Sequence, residues 1–165
     1  MDIWTVVTSG LVASVVAGWF TLRSKHNEYA NTYYKMILER RLAAYEEVEQ
    51  LIADIKATCA DNDQLYHLMF SKDDDHANIY GRLYRTTSKA LWLTDDLFLL
   101  ILEFNKLVFT GTAQGIGLIA FGKKHYKTIG EIRTKLEKLH TRDMLKLYDI
   151  PAFLNHKKKT ANKLE

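Results

Sequence analysis

Glu39 to Ile55 reads ERRLAAYEEVEQLIADI, and this stretch decides the fold class. It lies within a longer segment, Asn27 to Thr58, that has no proline or glycine and repeats apolar residues every three or four positions. A helix that is apolar over so wide an arc has to be covered on two sides. The pattern therefore predicts a long central helix of a helical bundle. One apolar stripe of this helix carries Ile37, Ala44, Val48, Leu51 and Ile55.

An uncharged stretch precedes that helix: Ile3 to Leu22 reads IWTVVTSGLVASVVAGWFTL. At about 1.5 Å per residue, a helix of this length spans about 30 Å, the thickness of the hydrocarbon core of a bilayer. Trp4 and Trp19 lie near its two ends, where indole rings favour the membrane interface. The stretch therefore predicts a transmembrane helix.

The charges around the stretch predict its orientation. A signal peptide carries positive charge before its apolar region, but only Met1 and Asp2 stand there, while Arg23 and Lys25 follow. The positive-inside rule places the basic flank in the cytosol. We therefore expect residues 1–25 to form a retained anchor with its N-terminus outside, and residues 26–165 to form a cytosolic all-helical domain.

Small residues recur along the predicted span. Gly10, Ser14 and Gly18 are spaced four apart and fall on one side of a helix. Small residues at this spacing let transmembrane helices approach closely. The stripe favours a homo-oligomer whose spans touch, although small residues are common in membrane helices and chance also explains it.

The rest of the chain predicts an all-α fold. It has one proline, a turn-forming break at Ala60 to Asp63, and a short apolar segment at Gln64 to Ser71 that we expect to be helical. Further helical patterns follow, and the basic segment Leu118 to His140 is one of them. Pro151 interrupts a terminal helix. No stretch is convincing as a strand.

Charge is distributed unevenly along the chain. Residues 23–120 carry 11 Lys+Arg against 14 Asp+Glu, whereas residues 121–165 carry 12 against five. A basic segment of this kind suggests an anionic partner such as a nucleotide, RNA or lipid headgroups. A solvated basic helix and tail explains the same composition.

Basic and aromatic residues alternate in two places. Residues 123–127 read KKHYK, and an earlier segment carries Arg82, Tyr84, Arg85 and Lys89. Arginine and lysine neutralise phosphates, and tyrosine stacks on bases. In a symmetric oligomer, a few such residues per subunit form a ring that suits a cyclic polyanion. The candidate ligand-binding residues are Arg82, Arg85, Lys123, Lys124, His125 and Arg133.

Catalytic and metal sites have little support. Asp73, Asp74 and Asp75 are consecutive, so their carboxylates point in different directions and do not form a metal site. Arg133 and His140 share a helix face, and this spacing resembles the signature of the HEPN ribonuclease superfamily. An ordinary charged helix gives the same spacing. We expect a protein that is not an enzyme and carries no metal or cofactor.

The layout of the whole chain resembles small CRISPR-associated membrane effectors of bacteria. The resemblance rests on the apolar anchor, the ERRLAAYEEVEQLIADI helix and the basic EIRTKLEKLH segment, residues 131–140. One kind belongs to type III systems, binds cyclic tetra-adenylate and forms a tetramer. Another kind accompanies a type VI RNA-guided ribonuclease as a pore-like ring with a degenerate HEPN-type motif.

The type III resemblance implies a function. The chain would be a single-pass protein of the bacterial inner membrane and a homo-oligomer, with a tetramer favoured. Its cytosolic domain would bind cyclic tetra-adenylate during infection, shift its long helices between two arrangements and disrupt the membrane. DNA is not expected as a partner. The alternatives are the pore-like accessory protein and a HEPN-like ribonuclease acting through Arg133 and His140.

Overall fold

The regular structure of the described residues is helical apart from one small β-hairpin. The computed structural model describes residues 3–62, 64–113 and 115–161, with side chains described from residue 18 to residue 160 outside those gaps. Single turns of 3₁₀-helix at Leu68–Phe70 and Ala90–Trp92 connect longer elements. In chain order these are α1 (Ile3–Lys56), β1 (Thr58–Asp61), β2 (Gln64–His67), α2 (His76–Ser88), α3 (Asp95–Ala113), α4 (Leu118–Lys124), α5 (Tyr126–Met144) and α6 (Ile150–Ala161).

The chain divides into two units, Met1–Leu38 and Glu39–Glu165. The first unit contains the N-terminal part of α1. The second contains the rest of α1 and all the other elements. The predicted boundary after residue 25 concerns the membrane and stays a prediction.

The predicted membrane span falls mainly on residues whose side chains are not described. Gly10 and Ser14 lie outside the described side chains, and at Gly18 the space around an added Cβ is open. Within the described residues, no helix has both the length and the apolar character needed to cross a bilayer. At the end of the predicted span, Trp19 and Phe20 are exposed, and the Arg23 guanidinium lies 5.3 Å from the Trp19 ring centroid.

Three helices supply the centre of the second unit. The predicted stripe of α1 is buried there, with Val48, Leu51 and Ile55 inaccessible to solvent. Because the same three- and four-residue spacing recurs in α3 and α5, each helix buries one face against the others. The buried residues of these two helices include Leu97, Ile101, Phe104, Val108, Ile129, Ile132 and Leu136.

The all-α prediction is wrong at the hairpin. β1 and β2 pair antiparallel, with Cys59 opposite Tyr66 and Asp61 opposite Gln64, where a helix over residues 64–71 was predicted. Asn62 at the turn has φ 48°, a left-handed conformation that asparagine tolerates better than most residues. The turn reverses the chain direction, so residues 64–67 pair with β1 as a strand. The 3₁₀ turn Leu68–Phe70 follows.

Helix ends also differ from the sequence prediction. The basic segment 118–140 is two helices, because α4 ends at Lys124 and α5 begins at Tyr126. Pro151 does not interrupt a helix but stands in the first turn of α6, where its missing N–H costs no hydrogen bond. Within α3, Gly111 leaves room for the ring of Phe121, which an added Cβ would strike.

We expect Gly111→Ala to lower the free energy of unfolding by about 1–3 kcal/mol, because the new methyl group overpacks the core against Phe121. Gly130→Ala is the matched control, since Gly130 also lies inside a helix but has open space around an added Cβ. That control should raise the free energy of unfolding by about 0.5–1 kcal/mol through helix propensity. Chemical denaturation measures both free energies of unfolding. Equal changes in the two variants would contradict the close contact between Gly111 and Phe121.

Candidate functional site

Three lysines of the predicted basic segment, Lys123, Lys124 and Lys127, line a cleft beside the hairpin, whereas His125 does not. This basic cleft is open to solvent and has a volume of about 720 Å³, within the usual range for ligand sites. One wall is β2, and the other is formed by α4 and the start of α5. The lining residues are Gln64, Leu65, Ala120, Lys123, Lys124, Tyr126 and Lys127.

The lysines of the basic cleft differ in their pairing. Lys123 Nζ lies 2.6 Å from Asp61 Oδ2, so it holds α4 against the hairpin and its charge is compensated. Lys124 and Lys127 are exposed and form no ion pair with any described residue. Uncompensated ammonium groups at a concave surface attract anions. The cleft therefore keeps two free positive charges for a ligand.

Aromatic and apolar surface lies beside these charges. Tyr126 stacks on the buried ring of His67, with ring centroids 4.8 Å apart, and His67 Nε2 lies 3.2 Å from the Tyr126 carbonyl oxygen. These two contacts hold Tyr126 in one position. Leu65 is exposed on the opposite wall. The cleft thus offers an aromatic ring and a methyl-rich side chain next to free cations, which suits a ligand with bases and phosphates.

A shallow basic groove continues from the cleft along α5. Lys127 lines both surfaces, so the positive charge is continuous. Arg133 lies in this groove, and its Nε is buried without a hydrogen-bond partner in the described part of the chain. Glu131 is the acidic residue of the groove. Its other lining residues are Gly130, Thr134, Lys135 and Lys138.

His125 joins α4 to α5 behind the cleft. Its ring contacts the buried ring of Phe121, with centroids 4.7 Å apart. Burial lowers the pKa of His125 below its ordinary value of 6.5, and the neighbouring charge of Lys124 lowers it further. The neutral form of His125 is therefore favoured over a wider pH range than in the unfolded chain, and its side chain does not line the basic cleft.

We expect NMR titration to give His125 a pKa below 6.5, and Lys124→Gln to raise that pKa partway, because burial is the larger cause. The unfolded chain takes up this proton near pH 6.5, whereas the folded chain resists it. The contribution of His125 to stability is therefore present above pH 6.5 and is lost as the pH falls. A pKa of His125 at or above 6.5 would contradict this environment.

Arg82 and Arg85 are not part of the basic cleft. Arg82 Nε lies 2.8 Å from Asp54 Oδ2, and its Nη1 donates to Gln50 Oε1 at 2.6 Å. Arg85 Nε lies 3.9 Å from Glu47 Oε2. These partners are all on α1, so the two arginines attach α2 to the central helix. Their role in ligand binding stays a prediction that the geometry does not favour.

Arg133 and His140 face different surroundings on α5. His140 Nε2 lies 3.2 Å from the Tyr45 carbonyl oxygen, and its ring contacts the buried Tyr45 ring. Arg133 lies in the basic groove instead. His140 therefore packs against α1, while Arg133 is available to a ligand at the surface.

A buried polar network lies at the other end of α5 and had no signal in the sequence. Asp143 is almost fully buried and accepts hydrogen bonds from Tyr45 on α1, Thr94 before α3 and the adjacent Arg142. Arg142 also lies 3.0 Å from Asp96. Burial raises the pKa of Tyr45 above its ordinary value, and the negative charge of Asp143 raises it further. The network joins three helices through one carboxylate.

The comparisons with known proteins leave the family open. The sequence matches no protein-family model, and neither a curated protein nor a solved structure matches it. Within the described residues, no group of three or more His, Cys, Asp and Glu side chains could hold a metal ion. The basic cleft and its surroundings are therefore the features of the molecule that bear on function.

Proposed function

We propose that this protein is a membrane-anchored effector whose helical domain binds a phosphodiester-linked nucleotide, with cyclic tetra-adenylate as the expected ligand. The observation that carries the proposal is the pair of uncompensated lysines, Lys124 and Lys127, in a cleft that also presents the fixed ring of Tyr126. Lysine neutralises phosphate as a point charge, and a tyrosine ring stacks on bases of any sequence.

The arrangement suits a ligand that carries several phosphates. Lys127 continues the positive surface into the groove around Arg133. The Nε of Arg133 has no hydrogen-bond partner among the described residues. A mononucleotide would reach only one part of this surface. A cyclic or linear oligonucleotide would contact both, and each neutralised phosphate would add to the affinity and to its dependence on salt.

The anchor is supported by the first unit. The described end of the apolar stretch presents Trp19, Phe20 and Leu22 to solvent, and Arg23 follows directly. Exposed aromatic rings next to basic residues are typical of the membrane interface. We therefore keep residues 1–25 as an anchor with the basic flank in the cytosol.

Self-association is part of the proposal. Tyr29, Tyr33 and Met36 are exposed at the spacing of one helix face. A second copy of the same helix would cover such a stripe, as in other helical assemblies. Oligomerisation would bring several basic clefts together around an axis, and a tetramer is the state we favour.

A binding titration tests the ligand. The full chain in detergent should bind cyclic tetra-adenylate at micromolar concentration, as measured by isothermal titration calorimetry. Adenosine monophosphate, with one phosphate, should bind at least about tenfold more weakly, because it gains fewer charge-assisted contacts. Absence of saturable binding of cyclic tetra-adenylate would remove the proposed function.

Fractionation tests the anchor separately. The expressed full chain should remain in the membrane pellet after alkaline carbonate washing, which strips peripheral proteins. Replacement of Val6 and Val15 by lysine puts two charges into the apolar stretch and should shift the protein out of the pellet. In the control, lysine replaces Asn31 and Thr32, which lie outside the stretch. This variant should stay in the pellet.

A further inference from the structure

A second, smaller cavity lies at the end of the bundle where the Asp143 network is found. It has a volume of about 280 Å³, just below the usual range of about 300–1,000 Å³ for ligand sites. Its walls come from α1, the start of α3, the end of α5 and the start of α6. It shares no lining residue with the basic cleft.

The carboxylates of this cavity are already satisfied. Asp143 accepts three hydrogen bonds, as described above. Each of the others accepts at least one: Arg142 donates to Asp96, Lys157 and Thr160 donate to Asp95, and the Ala152 backbone N–H donates to Asp149. The cavity therefore offers no acidic group that lacks a donor among the described residues.

The cations of the cavity are less well satisfied. Arg41 is 2% exposed, and its Nη1 donates to the Leu147 carbonyl oxygen at 2.7 Å. Its Nε is buried and has no hydrogen-bond partner among the described residues. Lys146, on the rim, forms no ion pair with them either. The unused groups are therefore hydrogen-bond donors, and a buried unpaired donor carries a cost that an acceptor would remove.

An apolar wall completes the cavity. The Phe153 ring lies against the Arg41 guanidinium, with the guanidinium carbon 4.1 Å from the ring centroid. Ala152 is beside it at the mouth. A ligand here meets a guanidinium and an aromatic ring that lie in contact with each other, with a methyl group beside them.

We propose that this cavity binds a small carboxylate that carries an apolar group, held by Arg41 and Lys146 against Phe153. The carboxylate supplies an acceptor for Arg41 Nε and a charge partner for Lys146, and the apolar part covers the aromatic wall. Lys157 pairs with Asp95, and Arg142 pairs with Asp96 and Asp143, so these carboxylates repel the ligand less than free ones would. Asp149 accepts a backbone N–H but forms no ion pair with a described residue. This site is separate from the proposed nucleotide site.

Ligand-detected fluorine NMR tests the cavity with 4-fluorobenzoate as the probe and the full chain in detergent. We expect saturable binding with a millimolar Kd. The uncharged 4-fluorobenzyl alcohol, of similar size, should bind at least about tenfold more weakly, because it cannot pair with the cations. Equal binding of the two probes, or no saturable binding of 4-fluorobenzoate, would overturn the proposal.

Two variants locate the binding without disturbing buried groups. Lys146→Gln should weaken 4-fluorobenzoate binding about fivefold, and Ala152→Trp should abolish it by filling the mouth. Ala120→Trp, in the basic cleft, and Lys106→Gln, on the exposed face of α3, are the controls and should leave it unchanged. Loss of binding in Ala120→Trp, or undiminished binding in Ala152→Trp, would place the probe elsewhere and overturn the proposal.

Discussion

Asp143→Ala should lower the free energy of unfolding by about 3–5 kcal/mol, the largest loss we expect from one substitution. The carboxylate is 4% exposed and accepts hydrogen bonds from Tyr45, Thr94 and Arg142. Removing one member of a buried charged network leaves its partners unpaired, and such changes typically cost about this much. Chemical denaturation of the full chain in detergent measures the loss.

Glu131→Ala is the control for this prediction. Glu131 lies on the same helix, carries the same charge and is exposed, with no ion pair among the described residues. Its replacement should change the free energy of unfolding by no more than about 0.5 kcal/mol. If Asp143→Ala were as mild as Glu131→Ala, the network would not hold the helices together.

The two free lysines of the basic cleft should determine the affinity for the nucleotide. The double variant Lys124→Glu, Lys127→Glu should weaken binding of cyclic tetra-adenylate at least about 100-fold. Each free ammonium group contributes a charge-assisted contact of about 1.5–3 kcal/mol, and the new carboxylates repel phosphate. Isothermal titration calorimetry compares the variant with the unmodified protein under one salt condition.

The matched control changes the net charge by the same amount elsewhere. Lys72→Glu, Lys106→Glu replaces two exposed lysines outside the basic cleft and groove. This control should weaken binding less than about threefold, because distant exposed charges are screened at physiological salt. Equal losses in the two double variants would mean that net charge, and not the cleft, determines affinity.

Long helices with a regular apolar spacing were predictable from the sequence. Val48, Leu51 and Ile55 are buried as the spacing in α1 predicts, because several turns of one period leave no other fold for that segment. The hairpin was not predictable in the same way. Residues 64–67 are too few to show a period, so a helix and a strand remain equally compatible with them.

The basic cleft was partly predictable from the sequence, whereas the Asp143 network was not. Lys123, Lys124 and Lys127 are close together in sequence, so their grouping was visible, and the fold adds the wall made by β2. The Asp143 network was not visible, since Asp143 and Tyr45 are 98 residues apart. Asp143 resembles any surface carboxylate of a basic helix until α1 and α3 cover it. Pairing over such distances depends on the packed bundle and not on local pattern.

The salt dependence of nucleotide binding shows whether the basic cleft recognises phosphates. Titrations of the full chain with cyclic tetra-adenylate between about 50 and 200 mM salt should give a plot of log K against log salt with a slope of about −2 to −3, if three or four phosphates are neutralised at about 0.7 each. Saturable binding with such a slope is the result that we predict. No binding at the lowest salt, or binding with a slope near zero, would contradict a basic cleft that recognises phosphates.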